Sequence, residues 1–190
     1  GKKAIVDDIS KSVSRKKAPL LFNLAELQAE CSKRFKISPD ETLQVAQELY
    51  EKKLTTYPRT DARVLSSAVA REIYKNISKL KGYEPNEDYV DNIMGKKLYV
   101  NIANTTYTDD SKVTDHYAII PTGVIPSNLS ERENAVYDLI CKRFIAIFYP
   151  PAEYERIKFE AVTANERFFG KCKHLILPGF YKVCGVPKED

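Results

Sequence analysis

One short stretch of this chain combines side chains that could handle a phosphate group. It reads Leu-Thr-Thr-Tyr-Pro-Arg-Thr-Asp and covers positions 54–61. The proline holds the residue before it, Tyr57, in an extended conformation, and the planar guanidinium of Arg59 can bind two phosphate oxygens at once. Thr60 or Asp61 is placed to cap a following helix, whose unpaired N–H groups and positive dipole end favour an anion. The stretch predicts a phosphate site, although a turn and a helix cap would use the same residues.

A second stretch carries one of the only two histidines in the chain. It reads Val-Thr-Asp-His-Tyr-Ala-Ile-Ile-Pro-Thr-Gly at positions 113–123 and places His116 beside apolar residues. A histidine in this setting is typical of a hydrogen-bonded core position as well as of a functional one. The chain also has 12 tyrosines, and most tyrosines in proteins pack in cores or interfaces with the hydroxyl at a polar edge. Taken singly, each stretch leaves chemistry and packing both open.

Taken together, the two stretches resemble the signatures of the type IA DNA topoisomerases, most closely their topoisomerase III-like branch. The first family signature is Thr-Tyr-Pro/Met-Arg-Thr/Ser-Asp, which residues 56–61 match. The second is His-x-Ala-Ile-x-Pro-Thr, which residues 116–122 match. Segments before and after the two signatures are similar as well and keep the family order, so the resemblance covers about residues 18–151.

The resemblance implies an enzyme in which Tyr57 attacks a phosphodiester of single-stranded DNA and forms a 5′-phosphotyrosine link. Another strand then passes through the gap, and the free 3′-hydroxyl reseals the break without ATP, so the reaction is an isomerisation. Arg59 would hold the scissile phosphate and stabilise its charge in the transition state. Tyr57 and Arg59 are therefore the predicted catalytic residues. The predicted DNA-binding residues are His116, Arg59, Thr60 and Arg143, of which Thr60 also suits a cap and Arg143 an exposed salt bridge.

The resemblance also predicts what these residues lack. Type IA enzymes bind divalent metal through an acidic cluster in a Toprim domain, which does not fit into 190 residues beside the tyrosine domain. We therefore expect no metal site here, Mg²⁺ bound by a Toprim domain of the full-length enzyme, and contacts to that domain and to the DNA-groove domains. The isolated chain should fold without relaxing DNA. A monomer that acts in the cytoplasm, associated with the nucleoid, is expected.

Composition and charge exclude a membrane-spanning segment but do not decide how the basic end of the chain is used. Thirty Lys and Arg against 26 Asp and Glu give a net charge of +4, and residues 1–17 carry all of that excess. An anion-binding arm and a solvated strand both fit such an end. The sequence has no apolar run of about 18 residues, so it predicts no membrane span. Cys172, His174 and Cys184 would leave a structural zinc site one ligand short.

The elements that must position the two motifs are predicted from caps and periodicity. Asn23 can cap a helix, and two capping boxes begin at Ser38 and Ser130. Helical spacing of apolar residues follows each cap. Residues 4–14 are β-branched with polar residues at intervals, which fits an edge strand, and the residues after Pro151 alternate with a period of two. The predicted helices cover about 24–35, 39–53, 61–81 and 131–149, and the predicted strands cover 4–14, 157–161, 175–177 and 180–181.

This order predicts a mainly α fold with a smaller antiparallel β part. We expect a helical, tyrosine-bearing domain of helix-turn-helix or CAP-like class at 18–152, inserted between strands of a hinge β region at 1–17 and 153–190. Two other readings stay open: a non-enzymatic helix-turn-helix module that reads DNA through the helix at 61–81, and a protein-interaction domain. Geometry discriminates among them, because the topoisomerase reading requires the two motifs to gather on one surface.

Overall fold

The computed structural model describes residues 4–164 and 166–188, which divide into two compact units. The sheet unit comprises the described residues up to Lys17 and from Pro150 onward, and the helical unit is Ala18–Tyr149. Within the described residues, no helix is long and apolar enough to cross a membrane. The elements are β1 (Ile5–Lys16), α1 (Leu24–Phe35), α2 (Pro39–Glu51), α3 (Ser67–Lys79), α4 (Glu87–Gly95), α5 (Glu131–Ala146), β2 (Ala152–Thr163), β3 (Glu166–Leu177) and α6 (Tyr181–Cys184).

The sheet unit is built on a three-stranded antiparallel sheet in the order β1-β2-β3. The predicted edge strand at the basic end is confirmed, and Arg15 of that strand pairs with Glu153 of β2 at 2.7 Å. A row across the sheet joins Ile9, Phe159 and Gly170. The ring of Phe159 lies over Gly170, where a Cβ atom would come within 2.0 Å of it. The aromatic ring thus covers the backbone that the glycine leaves bare.

The strand predicted at 180–181 is wrong, because the chain turns into α6 after β3. Gly179 makes the turn with a φ of +51°, a left-handed conformation that glycine adopts at low cost. Phe180 then donates its N–H to the carbonyl of Pro150 at 2.9 Å, and the side chains of Phe180 and Tyr181 are buried. Two bulky apolar residues after a turn therefore pack as one helical turn instead of pairing as a strand.

The helix starts predicted from capping residues are confirmed for α1, α2 and α5. In each case a side-chain oxygen accepts a hydrogen bond from a backbone N–H in the first turn, which has no partner inside the helix. Both capping boxes are complete, with the glutamate returning a hydrogen bond to the cap. The capping residues are Asn23 for α1, Ser38 with Glu41 for α2, and Ser130 with Glu133 for α5.

The core of the helical unit gathers around α5, and α2 packs against both α5 and α1. Val136, Ile140 and Phe144 of α5 are fully buried. Helical spacing in the sequence places Cys31 and Cys141 on apolar helix faces, which predicts core thiols, and both are buried free cysteines. Burial raises the pKa of Cys31 to about 11 and that of Cys141 to about 12, so both thiols stay protonated at neutral pH.

The third helix begins at Ser67, not near Asp61 as the sequence predicted, and Ser66 is its cap. The preceding residues form no helix because other segments take up their backbone hydrogen bonds. The carbonyl of Thr60 accepts from the first residue of α1 at 3.2 Å, and Leu65 exchanges hydrogen bonds with the loop at 107–109. The long connection between α2 and α3 differs from the three- or four-residue turn of a helix-turn-helix. The helix-turn-helix or CAP-like class therefore stays a prediction.

Candidate active site: a tyrosine–histidine cleft

The two motifs lie side by side in the helical unit because their backbones pair with each other. Thr56 donates its N–H to the carbonyl of Ile120 at 3.0 Å, and Thr122 donates to the carbonyl of Leu54 at 3.0 Å. These bonds flank an antiparallel bridge between the two segments. The first motif therefore enters the site as an extended segment held in register against the second.

Threonine hydroxyls of the first motif add a second set of bonds to the same pairing. The Thr56 hydroxyl donates to the carbonyl of Ala118 at 2.9 Å and accepts the N–H of Ile120 at 3.0 Å. The Thr60 hydroxyl donates to the carbonyl of His116 at 3.2 Å and accepts the amide two residues further on at 3.1 Å. Both hydroxyls thus act as donor and acceptor inside the protein.

This pairing brings the aromatic side chains of the two motifs into contact. The ring centroids of Tyr57 and His116 lie 4.4 Å apart, with the ring planes tilted by 36°. Tyr50, in the last turn of α2, meets Tyr57 edge to face at 5.3 Å. Tyr57 is half-buried whereas His116 is exposed. Contact from two sides restricts the orientation of the Tyr57 phenol while its surroundings stay open to solvent.

The rings border an open cleft of about 370 Å³. Its walls include the rings of Tyr50, Tyr57, His116 and Tyr117, together with Lys53 just after α2. Burial raises the pKa of Tyr117 above its usual value. In the described part of the chain, no carboxylate lines this cleft. The cleft therefore combines flat apolar surfaces with a positive charge.

Arg59 follows Tyr57 by two residues and is exposed. Within residues 4–164 and 166–188, its guanidinium takes part in no hydrogen bond and no ion pair. The helix N-terminus expected beside it is absent, which corrects the sequence prediction. That terminus lies at Ser67, whose N–H and hydroxyl both donate to the carboxylate of Asp110, at 2.8 and 2.6 Å. An anion near Tyr57 would therefore depend on side-chain cations.

Two predicted DNA-binding residues occupy structural positions in the helical unit. Thr60 is only 7% exposed, and its hydroxyl is engaged with the backbone as described above. Arg143 donates to the carbonyl of Leu20 at 3.1 Å, and its guanidinium lies 4.0 Å from the centroid of the Phe22 ring. Burial lowers the pKa of Arg143. DNA contact by either residue stays a prediction.

Sequence reasoning passed over the other side of the cleft. Tyr50 and Lys53 lie just before the first motif, and neither belongs to a family signature. The available signal was weak: an aromatic residue at the end of an amphipathic helix, three positions before a lysine. Only the return of the chain at 116–122 turns these residues into one wall of a cleft.

The residues present do not fit the divalent metal that the resemblance implies. Among the described residues, no group of three or more His, Cys, Asp or Glu side chains could hold a metal ion. Cys172 and Cys184 are both exposed in the sheet unit.

Comparisons with known proteins agree with the two motifs. A sequence model of the family described as DNA topoisomerase matches residues 1–190. DNA topoisomerase 3 of Bacillus subtilis strain 168 is 42% identical over 195 residues, which cover 100% of this chain and 26% of that protein. DNA topoisomerase 3 of Bacillus licheniformis is 40% identical over 193 residues, with the same two shares. The chain thus spans about a quarter of the length of these curated relatives.

A solved structure is similar along nearly the whole chain. Full-length topoisomerase I from Thermotoga maritima has a TM-score of 0.66 and 25% sequence identity to it. The match covers 98% of this chain and 30% of that one. The sequence comparisons and the structure comparison thus agree, because each finds topoisomerases.

Proposed function

Because this chain belongs to the type IA DNA topoisomerase family, we propose that it supplies the catalytic tyrosine of an enzyme that cuts and reseals single-stranded DNA. The observation that carries the proposal is the meeting of the two motifs. The Tyr57 ring lies 4.4 Å from that of His116, and the unpaired guanidinium of Arg59 follows in the same loop. A protein-interaction domain gives no reason for these residues to converge.

The proposed reaction exchanges one phosphodiester for another. The phenolic oxygen of Tyr57 attacks the phosphorus, so that a bond from tyrosine oxygen to phosphorus forms while the bond from phosphorus to the 3′-oxygen breaks. The phenol loses its proton, and the 3′-oxygen gains one and becomes a free hydroxyl. After strand passage, the 3′-hydroxyl attacks the 5′-phosphotyrosine and restores the original bond. A phenol, with an ordinary pKa of about 10, leaves more readily than an alkyl alcohol, so resealing requires no ATP.

Arg59 and His116 support this exchange by charge and by position. The fork of the Arg59 guanidinium can bind two oxygens of the scissile phosphate and stabilise the charge that grows in the transition state. His116 packs against Tyr57 and so restricts the direction of its phenol, and its exposed ring can contact the DNA backbone. Thr60 holds the backbone of His116 in place.

We assign the rest of the enzyme to parts outside these 190 residues. Mg²⁺ would be bound by a Toprim domain, and other domains would supply most of the DNA groove. The strands at 1–17 and 153–190 would form the hinge that joins the tyrosine domain, 18–152, to those parts. We propose a monomer that works at the nucleoid in the cytoplasm.

The direct test replaces Tyr57 by phenylalanine in the full-length enzyme. Tyr57→Phe removes the attacking oxygen and keeps the ring, so no covalent adduct with a labelled single-stranded oligonucleotide should survive denaturation. The dissociation constant for the same oligonucleotide should change by less than about twofold. Tyr74→Phe is the matched control, because Tyr74 is an exposed tyrosine that packs against Tyr99 and does not line the cleft. Adducts that persist in Tyr57→Phe would show that the nucleophile is misassigned.

A second test concerns the 190-residue chain by itself. We expect it to fold and to leave supercoiled plasmid unrelaxed in the presence of Mg²⁺, because strand passage needs a gate formed by several domains. Agarose gel electrophoresis of the plasmid topoisomers measures this. Complete relaxation by the purified chain would overturn the division of labour proposed above.

A further inference from the structure

Tyr50 borders the cleft beside Tyr57 but has no part in the reaction described above. Its ring centroid lies 5.3 Å from that of Tyr57, and 39% of the residue is exposed. Exposure of this size on a large ring leaves a flat surface available for stacking. Nucleobases stack on such aromatic surfaces, with little dependence on which base is present.

Lys53 lies on the same wall in an unusual backbone conformation. Its φ is +62°, in the left-handed region where a helix normally ends on glycine. Its carbonyl accepts the hydroxyl of Thr122 at 2.6 Å, which fixes the backbone beside the cleft. Within the described residues, its ammonium group forms no hydrogen bond or ion pair, so its charge is available to a ligand.

The composition of the lining indicates the class of ligand. Aromatic faces and a free cation, with no carboxylate lining the described walls, fit a nucleotide better than a cationic or purely apolar ligand. Thr55 also lines the cleft, but its unpaired hydroxyl oxygen is buried, so it is not available to that ligand.

We propose that this cleft is a nucleotide subsite that binds the unit of single-stranded DNA next to the scissile phosphate. The base would stack on Tyr50, and Lys53 would contact the adjoining backbone phosphate. The volume of about 370 Å³ lies at the lower end of the range of small-ligand sites, about 300–1,000 Å³, and admits one base with its sugar. The inference rests on the proposed function, because it places Tyr50 beside the attacking tyrosine.

The first test scans the DNA with a fluorescent base. Oligonucleotides that carry 2-aminopurine at one position at a time are bound to the full-length Tyr57→Phe enzyme, which cannot cleave them. We expect quenching at one position within two nucleotides of the mapped cleavage site. Tyr50→Leu should abolish that quenching and weaken binding by about 5- to 100-fold, the range expected for one lost base stack. Tyr50→Phe should retain both, because it keeps the ring.

The matched control is Tyr74→Leu, since Tyr74 is 41% exposed on a helix and, like Tyr50, packs against a second tyrosine. It should leave quenching and affinity unchanged. Quenching that is uniform along the oligonucleotide, or that survives Tyr50→Leu, would overturn the subsite. Adduct formation at Tyr57, measured in parallel on the enzyme with Tyr57 intact, reports the proposed function separately. An adduct without Tyr50-dependent quenching refutes the subsite alone, and absence of the adduct refutes the proposed function.

The second test separates the effect of the Lys53 charge from the effect of its backbone conformation. Lys36 ends α1 with a φ of +58°, so Lys36→Gly and Lys53→Gly relieve the same strain, and both should raise the Tm of the full-length enzyme. Only Lys53→Gly should weaken binding of single-stranded DNA. The plot of log affinity against log salt should also become less steep, by the amount expected for the loss of about one phosphate contact. Equal affinities for the two variants would exclude Lys53 from the subsite.

Discussion

The hydroxyl of Thr60 connects the two motifs through a single side chain. It is buried, donates to the carbonyl of His116 at 3.2 Å, and accepts the N–H of Ala62 at 3.1 Å. Because the ring of His116 contacts that of Tyr57, this hydroxyl bears on the orientation of the proposed nucleophile. We therefore propose that Thr60 is a positioning residue, whose effect would reach the reaction through His116.

Replacement of Thr60 by valine tests this role, because valine keeps the shape and loses the hydroxyl. We expect Thr60→Val to lower stability by about 1–3 kcal/mol, since a carbonyl and an amide lose their partner. Single-turnover formation of the DNA adduct in the full-length enzyme should slow by roughly tenfold, with the dissociation constant for DNA little changed. Thr60→Ser should restore the rate. A loss of affinity equal to the loss of rate would instead indicate direct DNA contact.

At the scale of elements, the start of α5 is tied to the end of α2. Glu133 closes the capping box of α5 and also forms an ion pair with Lys52, the residue after α2. The hydrogen bond from Lys52 is the main cause that holds the pKa of Glu133 below its usual value, and the cap at Ser130 adds to it. This contact fixes the point from which the chain enters the cleft wall and the first motif.

The variant Glu133→Gln should lower the free energy of unfolding by roughly 1 kcal/mol at pH 7. The folded pKa lies below the unfolded one, so the carboxylate stabilises the fold at every pH above the unfolded value of about 4.3. That stabilisation is lost as the pH falls through the folded pKa. The difference between wild type and variant should therefore shrink from pH 7 to pH 3 in denaturant unfolding. Equal differences at both pH values would contradict the role given to the charge.

Glu41 provides the matched comparison on α2. It closes an identical capping box, and the backbone N–H of Ser38 is the main cause that lowers its pKa. Its ion pair with Arg132 is exposed to solvent, which screens it. Glu41→Gln should therefore cost less than Glu133→Gln in the same unfolding experiment.

At the scale of the whole molecule, the chain passes from the sheet unit to the helical unit and back. The return is closed by Gly179, which lies after β3 and allows the chain to turn into α6. A Cβ atom at Gly179 would come within 2.3 Å of the carbonyl oxygens of Pro150 and Pro151. The sheet unit thus depends on one position for which sequence-local rules predicted only a turn.

Gly179→Ala should destabilise the sheet unit more than the φ cost alone, which is about 1–2 kcal/mol. Ala164, whose φ of +53° is close to that of Gly179, isolates that cost when it is replaced by glycine. We expect the Tm of the 190-residue chain to fall more for Gly179→Ala than it rises for Ala164→Gly. Gly95→Ala, at the end of α4 with open space around it, should leave the Tm unchanged or raise it. Tm changes of equal size for Gly179→Ala and Ala164→Gly would show that the backbone at 150–151 moves aside at little cost.

Residues whose partners lie within one turn of chain could be predicted from the sequence. The caps at Asn23, Ser38 and Ser130 were correct, because a cap needs only the N–H groups two or three positions away. The predicted burial of Cys31 and Cys141 was also correct, because helical periodicity places both residues on apolar faces. The two motifs were recognisable for the same reason, since each is a run of adjacent residues.

The rest was decided by pairing between segments far apart in the chain. Asp61 does not start a helix, because the backbone around it bonds to α1 and to the loop at 107–109. The same pairing sets Tyr57 against His116, 59 positions later, and turns Tyr50 and Lys53 into a wall of the cleft. The sequence by itself determined which side chains are available for chemistry. Only the tertiary structure decided which of them meet, because long-range hydrogen bonds override local preference wherever a segment can satisfy its backbone in two ways.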